Sequence, residues 1–217
     1  EEYNNYTNNG KNLKSGCLYV VKDLSNLSFY TNDINNEYLN VYKLTGDESI
    51  VTDELKDYIE RDITTINVLD GVKTIKERAF RNCSGLTSVT LPDSIKTIEK
   101  QAFVQLTNLT EVNLPEGLEY IGYQAFATDA KLDNIVIPST VKYIDQEAFA
   151  NCSGLKNLTL SEGLTTVGNN NAPFGGIGIT SLTIPASISE WGKNTFARCT
   201  GLKTLILEEG LKSIGEY

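Results

Sequence analysis

A block of 23 residues recurs through most of this chain, and no other feature restricts its fold as tightly. A self-similar unit of that length cannot bury its own apolar face and must stack on its copies. Blocks begin at Ile63, Leu86, Leu109, Leu132, Leu155, Ile179 and Leu202, with one step of 24 residues, from Leu155 to Ile179, among steps of 23. Apolar residues fall at positions 1, 4, 6, 10, 13, 17 and 18 of the first four blocks, and the later blocks keep the first five of these. Positions 4 and 6, such as Val112 and Leu114 or Ile135 and Ile137, alternate with polar neighbours, the period of a half-buried strand. Pro92, Pro115, Pro138 and Pro185 follow directly, removing a ladder donor and ending the strand. The second apolar pair, Ile95 and Ile98 or Leu118 and Ile121, suits a short extended return. The Ala-Phe tail should then close each block as a single short helical turn, stacking Phe80, Phe103, Phe126, Phe149, Phe174 and Phe196 into a spine. The expected fold is a repeat solenoid with one main parallel strand per block, short return strands and short helical turns. At a strand spacing of ~4.8 Å, seven blocks make a rod roughly 34 Å long.

A second periodicity lies in the turn ahead of position 10. It reads Asp70-Gly71, Glu116-Gly117, Glu162-Gly163 and Glu209-Gly210 in alternate blocks, and Asp93-Ser94, Ser139-Thr140 and Ala186-Ser187 in the others. This implies a duplicated two-block unit of about 46 residues, twice the repeat period. Block five departs from the pattern. Ser161 stands where proline is usual, and the stretch from Val167 to Phe174 is two residues longer than that from Ile75 to Phe80. Its Asn, Pro and Gly content predicts a protruding loop. Block six carries Trp191 in place of isoleucine.

The pattern L-x-x-V-x-L-P-x-x-L-x-x-I-x-x-x-A-F-x-x-C, sustained over residues 63 to 217, resembles the BspA-like leucine-rich repeats of bacterial and protozoan surface proteins. The resemblance implies a secreted or cell-surface location and a role in adhesion, with a host or bacterial surface protein as partner. It implies no catalytic residue.

Residues 1–16 show no apolar period and are expected to be mobile. Residues 17–62 read as a small α+β N-terminal cap. CLYVVKDL and YLNVYKL supply two strands, and TDELKDYIERD a helix with Thr52 or Asp53 as its N-cap. The chain starts at Glu1 rather than methionine, and Tyr217 stands just where the seventh block's Ala-Phe should come. A signal peptide or another upstream segment is therefore expected ahead of Glu1, and continuation of the repeats beyond Tyr217.

Composition narrows the chemistry. There is no histidine, which removes Ser-His and Cys-His nucleophile pairs and histidine metal sites. No P-loop or nucleophile elbow is present, and GGIG at 175–178 lacks the flanking strand and helix of a phosphate cradle. The stretch from Asp33 to Glu37 lacks the glycine and distal glutamate of a calcium loop. No catalytic residue, metal site or cofactor is expected. Nineteen basic residues against 28 acidic ones leave a net charge of -9, a surface that repels nucleic acid and anionic membranes. No apolar run approaches the ~18 residues of a membrane span.

Four cysteines invite disulfide arithmetic. Cys83, Cys152 and Cys199 share position 21, however, and lie about 14 and 10 Å apart along the stack, beyond a bridging limit near 7 Å. They should be buried thiols, with Cys17 in the cap.

What remains for recognition is the outward side of the main strands. Positions 3 and 5 present Ser88, Thr90, Glu111, Asn113, Asn134, Val136, Asn157, Thr159, Ser181 and Thr183, a surface expected to bind a protein partner. A second candidate patch comprises Tyr120, Tyr123 and Tyr143, since clustered tyrosines serve as binding anchors. That patch carries the alternative reading, a carbohydrate-binding or spacer module of a larger secreted enzyme.

Overall fold

The structure is a computed structural model. It describes residues 64–215 apart from 69, 71, 169 and 170, and ahead of them the backbone of four strands. These are β1 (Cys17–Lys22), β2 (Leu27–Asn32), β3 (Tyr38–Leu44) and β4 (Ile50–Val51). β2 falls between the two strands expected in this region; its Ser, Thr and Asn content disguised an extended run. The three pair as an antiparallel meander. β1 then joins the repeats, pairing in parallel with β5 (Thr65–Val68), with Cys17 opposite Thr65. The expected helix over 52–62, the segment 1–16 and the loop from Asp33 to Glu37 lie outside the described residues.

From β5 onward, return strands and main strands alternate. The chain runs β6 (Thr74–Ile75), β7 (Ser88–Thr90), β8 (Thr97–Ile98), β9 (Glu111–Asn113) and β10 (Tyr120–Ile121). It continues β11 (Asn134–Ile137), β12 (Tyr143–Ile144), β13 (Asn157–Leu160) and β14 (Thr166–Val167). The last three are β15 (Ser181–Ile184), β16 (Glu190–Trp191) and β17 (Thr204–Leu207). Each main strand pairs with its neighbour in parallel at the repeat offset, as Asn134 with Asn157 and Ile137 with Leu160. This is the parallel solenoid that the 23-residue period dictates.

The two sides of the stack differ in continuity. The return strands form one unbroken sheet from β4 to β16. The main strands divide into three groups, with no ladder joining β9 to β11 or β13 to β15. The face from Ser88 to Thr183 is therefore a segmented surface, not the uninterrupted one that the repeat suggests.

The core lies between these sides and is built of apolar side chains. Ile66, Ile75, Leu86, Ile95, Ile98, Leu109, Leu118, Ile121 and Leu132 are fully buried, and the same positions recur in later blocks. The phenylalanine spine forms as the repeat predicts. Successive rings from Phe80 to Phe196 lie 5.2 to 5.7 Å apart and within 15° of parallel.

The Ala-Phe tails are not helical. Two residues in each regular tail hold positive φ, Arg78 and Asn82, Gln101 and Gln105, Gln124 and Thr128, Glu147 and Asn151, Asn194 and Arg198, all between 52° and 66°. A left-handed residue every fourth position stops a helix from propagating. Alternate amides instead face along the stack. Phe80 N–H donates to Ala102 O at 2.8 Å and Asn82 N–H to Val104 O at 3.1 Å, while Ala79 and Arg81 close local turns onto Lys76 and Arg78. Every amide from Arg78 to Asn82 is thereby used, with those of Arg78, Phe80 and Asn82 binding one block to the next.

Block five keeps its place despite its extra length. Phe149 N–H donates to Pro173 O and Phe174 N–H to Thr195 O, so Pro173-Phe174 substitutes for Ala-Phe in register. The two additional residues are taken up between Gly168 and Pro173, where 169 and 170 lie outside the described residues. Cys83, Cys152 and Cys199 are thiols. Cys152 is fully buried as expected, but Cys83 and Cys199 are only half-buried. Cys152 Sγ donates to Phe126 O at 3.0 Å and Cys199 Sγ to Phe174 O at 3.1 Å.

Candidate binding surfaces

The main strands turn their odd positions outward because the pleat alternates and their even positions are committed to the core. Thr90, Glu111, Asn113, Asn134, Asn157, Thr159, Ser181 and Thr183 are exposed, and Val136 is 50% exposed; Ser88 is half-buried. Parallel pairing sets like positions beside each other. Ser88 lies across from Glu111 and Thr90 from Asn113; Asn134 lies across from Asn157 and Val136 from Thr159. The result is rows of hydroxyls and amides with one carboxylate, and Val136 as the one large apolar side chain standing out among these ten positions. The hydroxyls and amides can hydrogen-bond a partner without the desolvation cost of burying charges.

The tyrosine patch separates into two parts. Tyr120 and Tyr143 sit side by side on β10 and β12 with ring centroids 5.4 Å apart and planes at 16°. Tyr120 Oη donates to Asp145 Oδ2 at 2.9 Å. Burial and the Asp145 carboxylate together hold its phenol well above the usual tyrosine range. Tyr123 instead turns toward Glu147; burial and that carboxylate raise its phenol too. These rings cover one another or meet an acid, so they offer no open row of ring faces.

Position 16 carries a polar file that the repeat pattern did not reveal, because its residues differ from block to block. Arg78 Nε donates to Gln101 Oε1 at 3.0 Å, Gln101 Nε2 to Gln124 Oε1 at 2.6 Å, and Gln124 Nε2 to Glu147 Oε2. Asn171 Nδ2 donates to the other Glu147 oxygen at 2.8 Å. The file ends at a cleft of about 500 Å³ over block five, walled by Glu147, Asn151, Asn171, Asn194 and Arg198 and backed by Gly175. The sequence carries one trace of it, since Gly175-Gly176 interrupts a pair of positions filled by side chains in the other complete blocks.

Asp129 is a second residue that the pattern concealed. It occupies position 21, the slot of Cys83, Cys152 and Cys199, and is fully buried. Oδ1 accepts the Leu106 N–H at 2.8 Å while Oδ2 has no partner, and burial raises its pKa well above the ordinary carboxylate value. No group of three or more His, Cys, Asp or Glu among the described residues is placed to hold a metal ion. Among the described residues there is no helix long and apolar enough to cross a membrane.

A family model for the BspA type leucine rich repeat region matches in six copies, over residues 57–171 and 119–217. No curated protein sequence matches the chain. Among solved structures, a leucine rich cell surface protein from Faecalibacterium prausnitzii is 25% identical with a TM-score of 0.64, over 87% of this chain and 54% of that one. A leucine rich repeat protein from T. pallidum is 27% identical with a TM-score of 0.59, over 65% of this chain and 68% of the other. The pneumococcal vaccine antigen PcpA, 24% identical, shares the fold with a TM-score of 0.63 over 94% of this chain and 53% of its own. The chain thus spans about half the length of the Faecalibacterium and pneumococcal structures.

Proposed function

Because the chain belongs to the BspA-type leucine-rich-repeat family, we propose that it is a non-enzymatic binding or adhesion protein. In this reading it acts at the cell surface or outside the cell and recognises a protein partner through the outward side of its main strands. The observation that carries this is the division of labour within each strand. Even positions are monotonous and buried, whereas odd positions vary and are solvent-facing. Stacking dictates the first set, so specificity resides in the second. The Faecalibacterium relative is described as a cell surface protein, which supports the location.

The carbohydrate-binding alternative needs ring faces laid open side by side. Tyr120 and Tyr143 cover each other instead, and this favours the strand side. The test is a combined change of Glu111, Asn113, Asn134 and Asn157 to alanine. These exposed positions should leave the thermal midpoint nearly unaltered. Affinity for a partner captured from host or bacterial surface extract should fall at least tenfold, about 1.4 kcal/mol. Unchanged affinity, together with its loss on changing Tyr120, Tyr123 and Tyr143, would move the binding surface to the return-strand side.

A further inference from the structure

The cleft over block five arises by subtraction from an otherwise unbroken stack. Positions 19 and 20 are Ala150 and Asn151 in block four, Gly175 and Gly176 in block five, and Ala197 and Arg198 in block six. Their backbones remain in register, with Asn151 N–H donating to Gly175 O and Gly176 N–H to Ala197 O, both at 2.7 Å. The side chains are missing for different reasons: a Cβ on Gly175 would fall 2.8 Å from Ala172 Cβ, so close packing holds that position to glycine. The backbone does not require glycine at 176: its φ of 72° lies close to the 60° of Asn151 and the 61° of Arg198. A Cβ there would meet Asn151 Oδ1 at 3.0 Å, the movable end of a side chain. What Gly176 supplies is space beside the Asn151 side chain, which walls the cleft, at the entropic cost glycine carries in the unfolded chain.

The groups around that space have a consistent chemistry. Glu147 already accepts from Gln124 and Asn171, and Asn171 in turn accepts the Ala172 N–H. Asn151, Asn194 and Arg198 remain exposed around the cleft. A carboxamide presents a donor and an acceptor in the geometry of a peptide group, and a guanidinium fork matches a carboxylate. The volume of about 500 Å³ lies within the ~300–1,000 Å³ of ligand pockets. We propose that this cleft is a binding site for a short, extended peptide segment bearing an aspartate or glutamate. The acidic side chain meets Arg198, and the segment's main chain runs between Asn151 and Asn194. This site is built from the tails of the blocks and is independent of the strand side, so either assignment can fail without the other.

The test uses the whole chain labelled with nitrogen-15 and titrated with acetyl-Gly-Asp-Gly-amide. Amide resonances of Gly175 and Gly176 and the Arg198 Nε–H are expected to shift saturably, and acetyl-Gly-Asn-Gly-amide should bind at least tenfold more weakly. Gly176→Asn, which restores the ordinary position-20 side chain, should abolish the response, and Arg198→Gln should weaken it at least tenfold without altering the thermal midpoint. Absence of any shift, equal binding of the two peptides, a response surviving in Gly176→Asn, or an undiminished one in Arg198→Gln overturns the proposal. Glucuronate saturating the same resonances at lower concentration than the acidic peptide also overturns it, assigning the cleft to sugar acids.

Discussion

Asp129 holds the Leu106 amide across one repeat at 2.8 Å, from a slot in which Cys152, one block further on, holds the Phe126 carbonyl instead. The acid serves one backbone donor and leaves Oδ2 buried without a partner. Its folded-state pKa lies above its unfolded value, so the neutral acid is the form the fold accepts. Below about pH 4 both states are protonated and the residue costs nothing extra. Stability is then lost as pH rises toward the folded pKa, because the unfolded chain alone ionises. Asp129→Cys should therefore stabilise at pH 7 by about 1–3 kcal/mol. Urea unfolding from pH 4 to 8 should show its advantage over the parent widening with pH; a constant gap would refute the assignment.

The ring spine predicts an unequal response to truncation along the stack. Phe126 is fully buried, with Phe103 and Phe149 each 5.2 Å away. Phe126→Ala should cost about 3–5 kcal/mol in denaturant unfolding. Phe196 is half-buried, with one phenylalanine at 5.7 Å and the Trp191 ring at 6.4 Å. Phe196→Ala should cost clearly less.

The alternating turns predict a similar asymmetry. A Cβ on Gly117 would fall 1.7 Å from the Asp93 carbonyl oxygen, so Gly117→Ala must displace backbone and should cost about 1–3 kcal/mol. In the opposite class of turn, Ser94 Oγ donates to Val72 O at 2.8 Å. Ser94→Gly should lose about 0.5–1.5 kcal/mol for that bond. Equal and negligible effects of both changes in thermal unfolding would remove the physical basis for the two-block unit.

The thiols differ in accessibility although their block positions are the same. Burial, with Asp129 close by, raises the Cys152 thiol far above its ordinary pKa, and burial raises that of Cys199 as well. Iodoacetamide labelling read by peptide mass spectrometry should leave Cys152 unmodified until the chain unfolds. Cys199, being half-buried, should react in the native protein, but more slowly than an exposed thiol.

The solenoid, its register and its spine were legible because stacking repeats one physical demand every 23 residues, and Val112, Ile135 and Phe126 each answer it in kind. The tails were misread as helical turns because φ at Gln101 or Gln124 is set by bonds to the following block, and local composition carries no trace of them. The third strand of the meander was missed because Leu27–Asn32 owes its extension to pairing with β1 and β3, again a non-local cause. On the surface, the outward strand positions followed from the pleat alone. The cleft did not, since the absence of side chains at Gly175 and Gly176 becomes a cavity only when Asn151 and Arg198 stand on either side.

The tail amides that point from each block to the next lie along the long axis of the rod. A pull applied between the two ends therefore loads these bonds in line, and those of an end block can part before those of the interior. Each block so released would yield 23 residues of slack, about 80 Å when extended, against the ~4.8 Å it occupied in the stack. A tether built this way lengthens in discrete steps under tension, limiting the force transmitted while the remaining blocks keep their surfaces intact.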